Sequence, residues 1–380
     1  MDFQLTEEQQ MVRDTIRDFA EKELAPGVAE RDEKCIFPGE YVKKLGELGF
    51  LGVNIPESLG GAGLDMVSYA ISVEELSRID PSTAIVVSVQ NSLVDYPLEK
   101  FANAEQKERF LKPLAQGTLL GAFALTEPES GSDAGAMKTT AVRDGDHYVI
   151  NGSKNFITTG ENCNIMIVFS VTDPSKGSKS STAFILEKGM PGFNVGKHEN
   201  KLGIRATDTV SISLEDVKVP VANMLGEEGQ GFKIALTALD SGRIGVGAQA
   251  LGIAQASLDE SVKYSKERYQ FGKAIAMFQA IRFKIARMAV DVDAARLLLY
   301  RAAAKKDAHE RFTREAAMAK LICSETAVRN SLEAIQIHGG YGYVKEYPVE
   351  RFLRDSKITT IYEGTNEVMQ MVIADHYLGR

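Results

Sequence analysis

The sequence predicts a mixed fold, mainly α, in which helices come first, a small antiparallel β region follows, and long helices return. Three observations predict it. Apolar residues repeat at helical spacing from Thr6 to about Gln116, at a period of two between Leu120 and about Pro220, and at helical spacing again after Gly231. At 380 residues the chain exceeds one typical core, so two or three packed domains are expected. The changes of period place them at residues 1–119, 120–226 and 227–380.

In the first region Val12, Ile16, Phe19 and Ala20 form one apolar stripe and Tyr41, Val42, Leu45 and Leu48 another. Pro26, Pro38 and Pro56 punctuate it, and the glycines from Gly60 to Gly63 mark a loop that turns the chain. In the second region Tyr148–Ile150, Ile165–Val171, Thr182–Leu186 and Thr209–Leu214 read as strands. Asp144-Gly145 and Asn151-Gly152 read as hairpin turns, and residues 174–182 as a polar loop within the sheet. In the third region helices are expected over Phe232–Lys266, Gln279–Ala308, Thr313–Ile337 and Thr365–Leu378, packed as an antiparallel bundle.

Composition excludes several function classes. The net charge of −8, from 44 basic and 52 acidic residues, repels nucleic acid, and no basic run overrides it. No apolar run approaches the roughly 18 residues of a membrane span. Met1-Asp2-Phe3-Gln4-Leu5 lacks the basic start and apolar stretch of a signal peptide, so export is not expected. Cys35, Cys163 and Cys323 are widely spaced and odd in number, which suggests neither a disulfide framework nor a zinc knuckle and fits a reducing cytoplasm. The five histidines never pair at metal-ligand spacing, so redox work would need an organic cofactor.

The run Ile361-Tyr362-Glu363-Gly364-Thr365-Asn366-Glu367 carries the candidate base. It sets a carboxylate between a bulky aromatic and a glycine, just ahead of a helix-starting Thr-Asn pair. Water-poor surroundings disfavour the charged form and raise a Glu pKa toward neutrality, the range in which it can take a weakly acidic C–H proton. The competing reading is a Glu that merely complements a helix dipole.

Other segments offer cofactor contacts. Leu125-Thr126-Glu127-Pro128-Glu129-Ser130-Gly131-Ser132-Asp133 follows an apolar strand and presents hydroxyls and backbone N–H groups around a glycine, which suits phosphate or heterocycle oxygens; a decorated turn is the alternative. In Lys154 to Gly160, alternation puts Phe156 and Thr158 on one face, where a flat cofactor can stack, although such pairs are common in plain β cores. Arg268-Tyr269-Gln270-Phe271-Gly272, before Phe278-Gln279, offers a guanidinium for phosphate, against the default of a helix-to-helix loop. The Gly-rich turn from Gln336 to Tyr343 lacks the preceding strand of a Rossmann fingerprint, which disfavours NAD. The same holds for Gly226–Gly231 and Gly242–Gly247, read instead as glycines that let helices start or pack closely.

Together these motifs, in this order, resemble the acyl-CoA dehydrogenase family over essentially the whole chain. Leu239 to Val246 followed by Ala248-Gln249-Ala250-Leu251-Gly252 is most similar to its short-chain, butyryl-CoA dehydrogenase-like members. The resemblance implies a helical domain, a middle β-barrel-like domain and a C-terminal four-helix bundle. It also implies FAD held between domains and across the subunit interface of a homotetramer, a dimer of dimers. Phe123, Leu125, Thr126, Gly131 and Ser132 would wrap the flavin, and Phe156, Ile157 and Thr158 would lie against its ring. Arg268, Gln270, Phe271, Phe278 and Gln279, with Gln336, Gly339 and Gly340, would reach the FAD of a neighbouring subunit. Thr365 and Glu367 would bind near its pyrophosphate, and Ser132, Asp240, Arg243 and Gly364 would line the acyl-CoA path. Glu363 falls where most members keep the catalytic base. Many relatives have Trp where Phe156 stands, and this chain has no Trp. The isovaleryl type takes its base from near Ser241-Gly242-Arg243, where no Glu occurs.

The reaction implied is α,β-dehydrogenation of a saturated acyl-CoA: Glu363 removes the α proton while hydride leaves the β carbon for the flavin. Electron transfer flavoprotein is the implied acceptor, in a bacterial cytoplasm or an organellar matrix after removal of a targeting segment. An acyl-CoA oxidase and a non-catalytic FAD- or CoA-binding scaffold are the rivals.

Overall fold

The computed structural model describes residues 4–379, so the first three residues of the amino-terminal reading lie outside it. Helix α1 (Glu7–Phe19) starts at a capping box in which the Thr6 hydroxyl accepts from Gln9 N–H and the Gln9 side chain accepts from Thr6 N–H. It buries Val12, Ile16 and Phe19 against α4, as their spacing predicts. Helices α2 (Val28–Lys34) and α3 (Gly39–Glu47) follow. In α3 Val42 and Leu45 are buried, but Leu48 is 51% exposed. The helix ends at Glu47, and Leu48, as its C-cap, leaves the stripe.

The glycine loop both turns the chain and packs tightly. Gly60 has φ +84°, and a Cβ on Gly61 would overlap the Ile55 carbonyl. Helices α4 (Met66–Ser77) and α5 (Pro81–Val89) are buried on nearly every side. Asp80 caps α5 by accepting from Ser82 and Thr83 N–H, and Pro81 sits in its first turn, where no N–H is needed. A π-helical segment, Gln90–Asp95, carries α5 into α6 (Tyr96–Phe101), and α7 (Ala104–Gln106) and α8 (Lys112–Ala115) complete the region.

The middle region is one eight-stranded sheet. Its strands are β1 (Gly121–Ala124), β2 (Thr140–Asp144), β3 (His147–Thr158), β4 (Ile165–Val171), β5 (Ser181–Glu187), β6 (Phe193–His198), β7 (Thr209–Pro220) and β8 (Met224–Leu225). They run in the order β6-β7-β3-β2-β4-β5-β8, with β1 beside β4. Most pairs are antiparallel as expected, but β1 joins β4 parallel, from Gly121↔Ile165 to Ala124↔Val168, and β2 meets β4 parallel at Thr140↔Val171. β1 arrives from the helical region and runs alongside β4 with no hairpin between them, so no turn signal announces the pairing.

Asp144-Gly145 opens a hairpin, with Asp144 paired to His147 across the turn. Asn151-Gly152 does not: it lies within β3 at a bulge, where the register against β7 shifts between Ile150 and Gly152. Gly152 has φ +151°, and a Cβ there would press on Thr139, so the glycine is needed for the bulge rather than a turn. A second bulge falls between Lys154 and Ile157, with Phe156 at φ +56°. Tyr148, Ile150, Ile157, Phe184, Val210 and Ile212 belong to the core that the sheet encloses.

The long helices return as α9 (Gly231–Glu267), α10 (Gln279–Asp307) and α11 (Thr313–His338), joined between α9 and α10 by a short ribbon of β9 (Tyr269–Gln270) and β10 (Lys273–Ala274). The sequence reading did not place α12 (Val349–Ile358), an amphipathic helix that buries Val349 and Phe352 and lies between the Gly-rich turn and α13 (Asn366–Leu378). α11 packs against α9, α10, α12 and α13. Glycine inside α9 costs about 1 kcal/mol per residue relative to Ala. Close contact offsets it: a Cβ on Gly245 would overlap Tyr69 and Ser88, and one on Gly252 the Glu74 carbonyl. Among the described residues no helix is long and apolar enough to cross a membrane.

Candidate active site

The loop after α12 delivers Glu363. Tyr362 N–H donates to the Ile358 carbonyl at 3.1 Å, and Asn366 N–H to the Thr360 carbonyl at 3.0 Å, closing a compact turn. Within it Glu363 and Gly364 both take left-handed backbone, φ +53° and +100°. A glutamate in that conformation is strained, the kind of strain that gathers at functional sites. Thr365 then caps α13 by accepting from Val368 N–H at 3.3 Å. The Tyr362 hydroxyl bonds the Gln249 side chain of α9 and pins the turn to that helix.

Glu363 is thereby set against Gly242 of α9, where any Cβ would overlap its carboxylate. Leu93, from the π segment, packs at the same point. The Glu363 Oε2 atom is buried and has no hydrogen-bond partner in the protein. Burial pushes its pKa up to about 7, while the charges of Lys320 and Arg243 resist the rise. Arg243 is buried too: its guanidinium donates to Asp240 at 2.6 Å, and its Nε has no partner. Burial lowers the Arg243 pKa and raises that of Asp240, which also accepts from the Thr313 hydroxyl at 2.6 Å. Two unpartnered buried polar atoms, one acidic and one basic, thus belong to one charge-coupled set.

The first group of predicted cofactor residues is brought together. Lys154, wholly buried, donates to the Leu125 carbonyl at 3.2 Å and to Glu127 at 2.7 Å, and Asn155 N–H donates to the Thr126 carbonyl at 2.9 Å. These bonds strap the Leu125–Ser132 segment to the end of β3. Glu127 and Ser130 exchange main-chain bonds across a tight turn, beyond which Gly131 has open space around it and Ser132 is exposed. Phe123 is half-buried with its ring 4.9 Å from that of Phe169. Phe123 and Leu125 share an apolar cluster with Leu93, Leu239 and Tyr362, which links β1 to the Glu363 turn. Phe156 is 61% exposed and Thr158 half-buried. Strict alternation would place Lys154 on their face, but the bulge puts Lys154 inside together with Ile157. The Ile157 side chain therefore lies in the β core, leaving only its main chain for a ligand.

A second group lies elsewhere. Arg268, Gln270, Gly339 and Gly340 line a cleft of about 710 Å³ with Tyr264 and Tyr341. Phe271 beside it is 92% exposed, edge-on to Phe278, and Gln279 and Gln336 are exposed at the near ends of α10 and α11. Gly242 and Arg268 are separated by almost the whole rear part of α9, roughly 39 Å at 1.5 Å per residue. Within one chain the two groups occupy opposite stretches of that helix. Gly364 belongs to the Glu363 turn, and Thr365 and exposed Glu367 to the start of α13, where free N–H groups favour an anion.

Sequence reasoning did not single out Lys320, whose Nζ donates to the Gly364 carbonyl at 2.7 Å and to Asn366 at 3.0 Å. The signal was a lone lysine in the apolar run Ala316-Ala317-Met318-Ala319-Lys320-Leu321-Ile322. Nor did it find Lys306, half-buried between the Ser241 hydroxyl at 2.6 Å and the Tyr96 ring.

Fold and site together define a flavoprotein class of oxidoreductases: the chain belongs to the acyl-CoA dehydrogenase family. The family's N-terminal domain matches residues 6–118, its middle domain residues 122–217 and its C-terminal domain residues 229–378. Among curated relatives it is 51% identical to the mitochondrial short-chain specific acyl-CoA dehydrogenase of Rattus norvegicus, covering 99% of this chain and 91% of the relative. It is 53% identical to the short-chain specific acyl-CoA dehydrogenase of Megasphaera elsdenii, covering 98% of each. Among solved structures it is similar to the butyryl-CoA dehydrogenase of Megasphaera elsdenii, with 52% identity, full coverage of both chains and a TM-score of 0.98. A chain in a structure of the electron transferring flavoprotein of Acidaminococcus fermentans matches with 51% identity, full coverage of both chains and a TM-score of 0.99.

Proposed function

We propose that this chain dehydrogenates a short-chain saturated acyl-CoA such as butyryl-CoA, with FAD as its cofactor and Glu363 as the base that takes the α proton. One observation carries the assignment: a buried carboxylate oxygen with no partner, set against a glycine and held near neutral pKa. A purely structural Glu so enclosed would cost stability without a bond to show for it.

The residues fit FAD. Phe156 offers an exposed ring, Gly131 leaves room for close approach, and the start of α13 offers N–H groups for a phosphate. The flavin, when bound, supplies the hydride acceptor. Phe123, Leu125, Thr126, Gly131, Ser132, Phe156, Thr158 and the Ile157 main chain would hold it in one subunit. Arg268, Gln270, Phe271, Phe278, Gln279, Gln336, Gly339 and Gly340, too far along α9 to share that site, would hold the FAD of a second copy, which supports an assembly of at least two subunits, as the homotetramer that the resemblance implies would contain. Thr365 and Glu367 would lie near the pyrophosphate, and Ser132, Asp240, Arg243 and Gly364 along the acyl-CoA path.

The chain's own contribution is geometry and field. The apolar cluster around Leu93, Leu239 and Tyr362 excludes water, which keeps the Glu363 carboxylate a strong enough base for a C–H proton. Its backbone N–H would polarise the thioester carbonyl and acidify the α carbon. Similarity to a chain in a structure of an electron transferring flavoprotein supports such a protein as electron acceptor.

The test is anaerobic titration of the purified protein with acyl-CoAs of increasing length, following flavin absorbance. Bleaching fastest with butyryl-CoA, and slowed by about 10² to 10⁴ in Glu363→Gln with flavin retained, is the expected result. Bleaching of Glu363→Gln at the unmodified rate would remove Glu363 as base. Rapid reoxidation by air with peroxide release would make the protein an oxidase, and no bleaching by any acyl-CoA would make it a scaffold.

A further inference from the structure

Among the described residues, Lys320 is the buried cation that hydrogen-bonds the turn carrying Glu363. It projects from α11, is wholly enclosed, and has as acceptors the Gly364 carbonyl at 2.7 Å and the Asn366 side chain at 3.0 Å. Asn366 is itself fixed by the Ser324 hydroxyl, also on α11, at 3.0 Å. Both acceptors are neutral. A lysine buried on neutral oxygens is expensive unless its charge is used, and the carboxylate whose field it feels most strongly is Glu363.

We infer that Lys320 is a positioning residue for the base: it holds the left-handed Glu363-Gly364 turn by its carbonyl, and its charge keeps the buried carboxylate ionised. The inference rests on Glu363 being the base. The chemistry is electrostatic. Every neighbouring apolar group disfavours the carboxylate form, and an uncompensated Glu there would stay protonated and useless at neutral pH. Lys320 acts from α11 and Arg243 from α9, but Arg243 is already committed to Asp240, whereas Lys320 has no acidic side chain in hydrogen-bond contact. Glu367 on α13 acts weakly on Lys320 from the surface, and Tyr362 and Tyr69, the remaining titratable groups facing Glu363, stay neutral because burial raises both. Burial pushes Lys320 down to about 7, into the range to which Glu363 is pushed up, so each proton position depends on the other.

The experiment is single-turnover flavin reduction by the best acyl-CoA substrate, followed from acid to alkaline pH for the holoenzyme, Lys320→Met and Glu363→Gln. Removing the cation disfavours the carboxylate, so Lys320→Met is expected to raise the apparent pKa of the rate by about one unit or more. Its rate at pH 7 should fall about fivefold or more and recover at alkaline pH, with FAD content unchanged. A merely structural lysine would lower the rate evenly at every pH with the apparent pKa unmoved, and that result overturns the inference. Should Lys320→Met not yield folded flavoprotein, Asn366→Asp offers Lys320 a competing carboxylate at a helix start, where an acid is tolerated. It should raise the apparent pKa in the same direction, and an unmoved value overturns the inference equally. Unimpaired Glu363→Gln would instead sink the base assignment itself, whatever the lysine variants do.

Discussion

Gly242 and Glu363 compete for one volume: the carboxylate of the second stands where a side chain on the first would begin. A residue in the interior of a long helix is thus kept as a glycine, a poor helix former, by a residue more than a hundred positions away. The pairing also bears on the isovaleryl-type alternative raised by the sequence. A Glu on α9 at this point and a Glu at 363 could not both be accommodated.

Gly242→Ala follows directly. Ala favours the helix by about 1 kcal/mol over Gly, yet here it must displace the carboxylate, and a displacement of that size at a reacting group costs on the order of 10²-fold in rate. Flavin reduction measured beside thermal melting should show a large kinetic loss with little change in melting temperature. A variant as active as the parent would mean that Glu363 does not work from this position.

Lys154 and Glu127 form a buried pair under the Leu125–Ser132 segment, and burial lowers the lysine to about 8 against the pull of Glu127. Removing one partner strands the other charge, at a cost of about 3–5 kcal/mol. Lys154→Met should lose that much in urea unfolding and also lose flavin, because the strap to the Leu125 carbonyl goes with it. Adding Glu127→Gln should restore most of the stability. If the double variant is no better than the single, the loss comes from packing rather than charge.

Asp355 on α12 accepts from Ile204 N–H at 2.6 Å, and burial raises its pKa to about 7. A carboxyl whose folded-state pKa lies above its unfolded value of 3.8 binds its proton more tightly when folded. Its ionisation therefore erodes stability as pH climbs from about 4 to about 7. Asp355→Asn keeps an acceptor for Ile204 without that ionisation. It should melt higher than the parent at pH 8 and converge with it near pH 4, and a constant offset across that window would refute the linkage.

Phe156→Ala isolates the exposed ring. Both residues carry a Cβ at φ +56°, so backbone strain is unchanged and the difference reads ring contact alone. Aromatic stacking is worth about 0.5–1.5 kcal/mol, so flavin should dissociate several-fold to about tenfold more readily in equilibrium dialysis. Equal retention would remove Phe156 from the flavin face.

The long elements were legible because their periods are long. α9, α10 and α11 fall within two residues of their expected bounds, and Glu363 was visible as a carboxylate between an aromatic and a glycine. Local signals failed where tertiary contact outvoted them. Asn151-Gly152 has the composition of a turn but answers to Thr139 packing against a bulge, and Leu48 obeyed the helical period one residue after its helix had ended. The strand before Leu125 was legible, but its parallel pairing was not, because the partner is 44 residues away with no turn between. Lys320 was hidden because its acceptors come from a loop 44 residues downstream, and nothing in a run of alanines says what its one cation will meet.

Helix α9 spans Gly231 to Glu267 without a break, carrying Gly242 toward one end and handing over to Arg268 at the other. It therefore works as a ruler whose graduations are fixed. Inserting a single residue between the two would advance the far end by 1.5 Å and swing it by about 100°, so a lineage can retune this rod letter by letter but cannot lengthen or shorten it without misaligning whatever the two ends must address.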